Sequence, residues 1–353
     1  MVSQAFKSER RRGLPQGCFL HHIQEYIYKK LESIVLTKQN LWRSTPPAIF
    51  PISLGFMGLA LAWRNASDVL PIPQEIGDLM LGVSTAFFLF FAVSFVAKII
   101  ARPAVVLEDL KVSPARAGVA AFPMAIMLLA AALLPLGVQV PLVWWTGVGV
   151  YYIATGLVAW SILKGPPEAR MFSPFQYLAF VGPIVGPIAG IPLGYVTASF
   201  WLAMAAMIPY IAITLGYGYK LMKVLPPVPL RPSLVIVLAP TSLFALAFGA
   251  LEIEWAFVLF YWMSVAFAVV MLFFAMWLTK GGFTPIWGSF TFPVATFINL
   301  NIYAIGKGMG VVATTGMIAG LLIGTPLIFY VIWMASKLWI KGELAKKTGA
   351  AVA

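Results

Sequence analysis

The chain has 353 residues, of which 61% are apolar and only 10% charged, and it carries a net charge of +12. Soluble domains are about 45–50% apolar, so this composition excludes a soluble globular protein. A charge of +12 would suggest a nucleic-acid partner in a soluble chain, but here the basic residues sit between long apolar segments, so no nucleic acid is expected. The single cysteine, Cys18, excludes an internal disulfide framework. The only histidines, His21 and His22, are adjacent and point in different directions on a helix, so neither a metal site nor a cofactor is expected.

The N-terminal stretch, residues 1–45, reads as a cytoplasmic segment apart from the rest. Arg10, Arg11 and Arg12 are followed by mixed polar and apolar residues, not by the apolar run of a secretory signal. Over residues 19–36, Phe19, Leu20, Ile23, Ile27, Leu31, Ile34 and Val35 recur at helical spacing, with Gln24, Glu25, Lys29, Lys30 and Glu32 on the other face. This is an amphipathic helix that lies on the inner membrane surface or packs on its own protein.

A bilayer core of about 30 Å takes roughly 20 helical residues. Ten segments meet or approach that length, at about 47–63, 76–100, 117–134, 141–163, 177–195, 198–221, 233–250, 255–278, 285–305 and 310–338. They form a membrane domain over residues 46–340, followed by a cytoplasmic tail over 341–353. Their length marks them as helices, since membrane strands alternate over about ten residues. With the N-terminus inside, all of the 24 Lys and Arg residues except Arg64 and Lys307 fall on the inner side. That asymmetry predicts an even helix count and two cytoplasmic termini in a plasma (cell inner) membrane.

The odd-numbered segments each carry proline within their span: Pro51, Pro123, Pro183 with Pro187 and Pro192, Pro240, and Pro293. The even-numbered ones are mostly free of it, Pro209 and Pro326 excepted. Proline deletes a backbone N–H and frees the carbonyl four residues earlier. In lipid that carbonyl is tolerated only where protein or a water-filled cavity satisfies it. The pattern reads as five helical hairpins, with kinked helices inside and straighter ones toward lipid. Five inner helices about one axis leave a central channel. The alternative is that the prolines serve only packing. Glycine stripes at Gly182, Gly186, Gly190 and Gly194, and at Gly316, Gly320 and Gly324, read as close helix packing; on the fifth segment the stripe would also leave room for an ion.

No Asp, Glu, Lys, Arg or His falls in the central part of any segment. Intramembrane ionisable groups mark proton relays and coupled pumps, and a membrane hydrolase needs a general base or a metal cluster. Neither a proton-driven pump nor an enzyme is expected, and no residue is assigned a catalytic role. Asn299 and Asn301, the most polar central residues, either line a path or bond a neighbouring helix.

Three stretches carry a family resemblance. Pro47-Ala48-Ile49-Phe50-Pro51-Ile52-Ser53-Leu54-Gly55, running on to Leu61-Ala62-Trp63, resembles the tellurite-resistance and four-carbon-dicarboxylate transporter family. So do Ile236-Val237-Leu238-Ala239-Pro240 and Trp287-Gly288-Ser289-Phe290-Thr291-Phe292-Pro293. The family includes bacterial tellurite-resistance channels, fungal malate and sulfite permeases and the slow anion channels of plant guard cells. The resemblance spans residues 46–339. It implies an all-α membrane fold of ten transmembrane helices in five hairpins, with quasi-five-fold symmetry around a pore. It also implies a homotrimer with one pore per subunit, and passage of small anions such as chloride, nitrate, sulfite or malate. Within Phe290-Thr291-Phe292-Pro293 it implies a gating phenylalanine at Phe292, with Thr291 and the inner-helix prolines as candidates to line or kink the path. The alternative within the family is a proton-coupled dicarboxylate or sulfite/tellurite efflux carrier. The N-terminal 45 residues lie outside the shared core, and the tails are far shorter than the regulatory tails of the plant channels.

Overall fold

Helices account for nearly all regular structure in the computed structural model, which describes residues 41–353; no strand occurs among them. The expected amphipathic helix over 19–36 and both histidines lie outside the described residues. A single 3₁₀ turn (Pro47–Ile49) leads into α1 (Phe50–Ala66). Then follow α2 (Gln74–Ala101), α3 (Ser113–Leu133) and α4 (Pro141–Lys164). The fifth segment is not one helix. Gly182-Pro183 and Gly186-Pro187 place flexible residues beside residues lacking an N–H, and a continuous α-helix cannot form across them. We label as α5 its three pieces, Gln176–Phe180, Gly182–Val185 and Gly186–Gly190. After α6 (Val196–Lys223), a long 3₁₀ stretch (Val228–Val237) enters α7 (Leu238–Ala250). The chain continues through α8 (Glu254–Phe273), α9 (Gly288–Gly306), α10 (Gly310–Ile340) and the short α11 (Glu343–Thr348).

Eight of these elements are long and apolar enough to cross a membrane. The two others among the ten expected segments are the broken α5 and α9, whose apolar run is diluted by Asn299 and Asn301. Each odd element packs on the even one that follows it, giving five hairpins. The odd elements also pack on one another in a closed order: α1 on α3, α3 on α5, α5 on α7, α7 on α9 and α9 back on α1. Burial separates the two sets. The best membrane window is 78%, 67% and 78% buried in α1, α3 and α7, but 33% in α2, α4 and α6 and 28% in α8 and α10. The odd elements are therefore the inner ring, and the even ones present apolar side chains such as Leu79, Leu142, Ile208 and Phe273 outward. This is an all-α membrane protein with several spans.

Lipid gives apolar helices little reason to associate, so close approach and hydrogen bonds hold them. The α1–α9 seam shows both. A Cβ at Gly55 would collide with Thr291. Thr291 Oγ1 donates to the Pro51 carbonyl at 3.0 Å, and Asn299 Nδ2 to the Gly58 carbonyl at 2.8 Å. The glycine stripes are packing seams as well: Gly186 accommodates Leu202 of α6, and Gly320 accommodates Ile298 of α9.

The prolines act differently from the expected mid-helix kinks. Pro51 lies in the first turn of α1, and Pro240 is the third residue of α7, after the 3₁₀ stretch. Each closely follows a 3₁₀ segment, so it marks the passage from 3₁₀ to α-helix and not a break within the α-helix. Pro183 and Pro187 start two of the α5 pieces. Only Pro123 and Pro293 interrupt inner helices, while Pro209 and Pro326 do so in α6 and α10. α1, α7 and α9 are entered through proline and 3₁₀ turns, and α3 through Ser113-Pro114 without one.

The two ends of the described chain meet at one end of the bundle, where the Ala353 N–H donates to the Arg43 carbonyl at 3.1 Å. We call this the near face and the other the far face.

Candidate functional site

Each face of the inner ring opens into a cavity. The near one, about 100 Å³, is walled by the starts of the inner elements, among them Ala48, Pro51, Ala117, Pro240, Ser289 and Pro293. The far one, about 710 Å³, is lined by their other ends, including Gly58, Asn65, Leu128, Pro187, Thr296 and Asn299. Three side chains line both: Ile184 of α5, Leu243 of α7 and Phe292 of α9. These form an apolar layer between the cavities.

Phe292 is 6% exposed and belongs to the same apolar cluster as Ile184 and Leu243. Its ring lies over Gly58 of α1, where an added Cβ would meet the ring edge at 3.8 Å. Pro293 follows it and removes the N–H that would have bonded the Ser289 carbonyl, on a residue that faces the near cavity. Phe290 points elsewhere, into a separate cluster with Val235 and Leu278, its ring 5.5 Å from that of Trp287.

The other candidates divide. Pro51, Pro240 and Pro293 line the near cavity and Pro187 the far one. Pro123 and Pro183 are buried and line neither, while their neighbours Met124, Gly182 and Ile184 do. Thr291 does not line the path either. It is fully buried, and its hydroxyl hydrogen is directed at the carbonyls of Pro51 and Gly288, 3.0 and 2.8 Å away, so it ties α9 to α1. Asn301 is fully buried too, donating to the Phe297 carbonyl at 2.8 Å and packing on Gly316 of α10.

Asn299 faces the far cavity with its donors already used. Nδ2 bonds the carbonyls of Gly58 and Ala295 at 2.8 and 2.9 Å, and Oδ1 accepts from Asn65 Nδ2 at 3.1 Å. Thr296 donates to the Pro293 carbonyl at 2.9 Å. Near the apolar layer, then, these polar groups are spent on the protein itself. The far rim carries charge of both signs. Lys307 lies 2.7 Å from Glu254, and Asp68 is 3.8 Å from Arg64, which also pairs with Asp78 at 2.9 Å. The bond to Glu254 raises the Lys307 ammonium above the usual lysine range, so it stays charged. Among the described residues no three His, Cys, Asp or Glu side chains come together to hold a metal.

Ile184, Leu243 and Asn65 were not expected at the site. The first two are ordinary apolar residues in apolar segments, and only the break in α5 and the packing of α7 bring them to Phe292. Asn65 lies just beyond the expected first segment, and α1 extends to include it.

Among curated proteins none matches the chain. A family model described as voltage-dependent anion channel matches residues 44–338. That stretch holds all ten membrane segments, the closed inner ring and all three residues of the apolar layer. The protein belongs to the voltage-dependent anion channel family.

Proposed function

We propose that the protein is a channel or uniporter for small anions, either chloride- or nitrate-like or sulfite, malate and other four-carbon dicarboxylates, with the axis of the inner ring as its path and Phe292 as its gate. One observation carries this reading: Phe292, with Ile184 and Leu243, lines both cavities. An aromatic ring across a narrow apolar pore keeps it dry. A hydrated anion cannot pass a surface that offers no replacement for its water. Removing the ring would join the two cavities, and Gly58 beside it leaves a flank without a side chain. Transport then follows the electrochemical gradient of the anion, since no ionisable group stands in the layer. Pro51, Pro187, Pro240 and Pro293 shape the walls.

The near face is the cytoplasmic one in this reading, supported by the basic residues of the loops there, and the protein resides in the plasma membrane. The family resemblance supports a homotrimer with one path per subunit. Residues 46–340 form the conducting domain and 341–353 a tail at its mouth. The decisive experiment is reconstitution into planar bilayers with a panel of anions, comparing wild type with Phe292→Ala. Anion-selective current that rises in the variant supports the reading; a variant no more conductive than wild type overturns it.

A further inference from the structure

Among the described residues the near cavity is lined mostly by apolar side chains, with the hydroxyl residues Tyr177, Ser289 and Thr348 and one charge. Among the described residues its lining contains no Asp, Glu or Arg, and a single lysine, Lys347, contributed by α11. α11 follows the last membrane helix, so the sequence alone does not point to a pore residue there. The structure fixes it there. Gly342, with φ of 67°, turns the chain at the end of α10, and Gly349, with φ of 64°, turns it again after α11. Leu344, Ala345 and Thr348 are buried on the α11 face that meets the protein.

The residues beyond α11 are clamped. The Ala351 N–H donates to Asp109 Oδ1 at 2.7 Å, and Arg102 Nη1 donates to the Val352 carbonyl at 2.7 Å. The other oxygen of Asp109 pairs with Lys98 Nζ at 3.3 Å, both side chains being fully buried, and Lys98 also donates to the Thr45 carbonyl at 3.1 Å. Burying an ion pair is costly unless further bonds satisfy it, and here one of those bonds holds the chain four residues after Lys347. Among the described residues Lys347 is tied only to Glu343, one turn back at 3.2 Å, with both side chains about half exposed. Such pairs are weak, so the ammonium can take another anion.

We propose that Lys347 is the anion-docking residue of the near mouth, held in place by the clamped C-terminal segment. A charge over a chamber with low-dielectric walls concentrates ions of the opposite sign. This rests on the reading of the two cavities as one path, so the test uses the Phe292→Ala protein as parent.

At low salt, where charge is screened over about 30 Å, Lys347→Gln should lower anion current entering from the near side about two- to threefold. Lys347→Glu should lower it about fivefold, and current entering from the far side should change less, giving rectification. In about 1 M salt, with screening over about 3 Å, the differences should vanish. Lys346→Gln removes the same charge from an exposed neighbour that does not line the cavity, and should match the parent. Deleting residues 341–353 should resemble Lys347→Gln. The inference is overturned if the Lys347 variants conduct like the parent at low salt, if Lys346→Gln has the same effect, or if the deletion raises the current, which would make the segment an obstruction. Should the deletion fail to fold, the charge series decides alone. A parent without anion current overturns the pore reading and this inference with it; a conducting parent indifferent to Lys347 overturns this inference only.

Discussion

The near cavity, about 100 Å³, and the far cavity, about 710 Å³, share three side chains and little else. The near one is walled by prolines and the 3₁₀ entries of the inner helices, and has room for only a few waters. The far one is wide, with amides, a hydroxyl and a rim of ion pairs. In the proposed path, an anion approaching from the far side would keep its water until it reaches Phe292. In the same proposed path, from the near side it would shed water earlier, in a chamber where one ammonium is the only charge among the described residues. The comparison teaches that a ring of similar hairpins builds an asymmetric path by changing how its helices begin, not how they end.

The largest expected effect comes from removing the partition. Phe292→Ala should raise anion conductance by about one to two orders of magnitude, read as macroscopic current in planar bilayers, with the oligomer unchanged on size-exclusion chromatography. Phe290→Ala should conduct like wild type; equal opening by both would remove the gate from Phe292. Thinning the partition should do less. Ile184→Ala or Leu243→Ala each leaves the ring in place and should raise current about two- to fivefold, while costing about 2–5 kcal/mol of stability as large-to-small core changes do. Either one exceeding Phe292→Ala would shift the barrier to that residue.

Below these in effect is the far rim. Lys307 sits beside Glu254 at 2.7 Å, in a cavity that Asp68 also lines. Lys307→Gln should therefore change low-salt current by less than about twofold, against the larger change expected at Lys347. A larger change at Lys307 would reverse the contrast between the mouths. The smallest expected effect is none at all: an imposed pH gradient across proteoliposomes should drive no uphill accumulation of anion, because the partition between the cavities carries no titratable group. Accumulation would establish a coupled carrier.

The architecture was largely legible before any coordinates, because length and proline act locally. Segments expected at 76–100 and 141–163 are α2 (Gln74–Ala101) and α4 (Pro141–Lys164). Apolarity alone could not have sorted inner from outer helices. α2 and α3 are both strongly apolar, yet 33% and 67% buried, the difference lying in the Ala-rich sequence of α3, which lets neighbours approach. The proline pattern sorted them correctly for a partly different reason, since Pro51 and Pro240 start helices where mid-span kinks were expected. Composition gives no sign of a 3₁₀ stretch.

The site was harder to read. Phe292 is one of 26 phenylalanines and stood out through its place before Pro293 and through the family resemblance. Thr291 drew attention as the polar residue beside it, but a buried hydroxyl takes the nearest carbonyl, and that carbonyl belongs to Pro51. The burial of Lys98 against Asp109 depends on where the C-terminal residues come to rest, which no local pattern reports.

The closure of the ring by α9 on α1 has a consequence for biogenesis. The bond from Thr291 to Pro51 joins residues 240 apart in the chain. A chain emerging from a ribosome reaches the membrane α1 first, so its small-residue face must wait there without its mate until most of the polypeptide has been made. Contacts of such long separation form late and slowly. Assembly cannot proceed hairpin by hairpin to a finished product; the early helices need temporary company, from lipid, from the insertion machinery or from α2 and α3. Substitutions along this seam, Gly55→Val among them, should consequently reduce the yield of inserted protein before they touch its conductance.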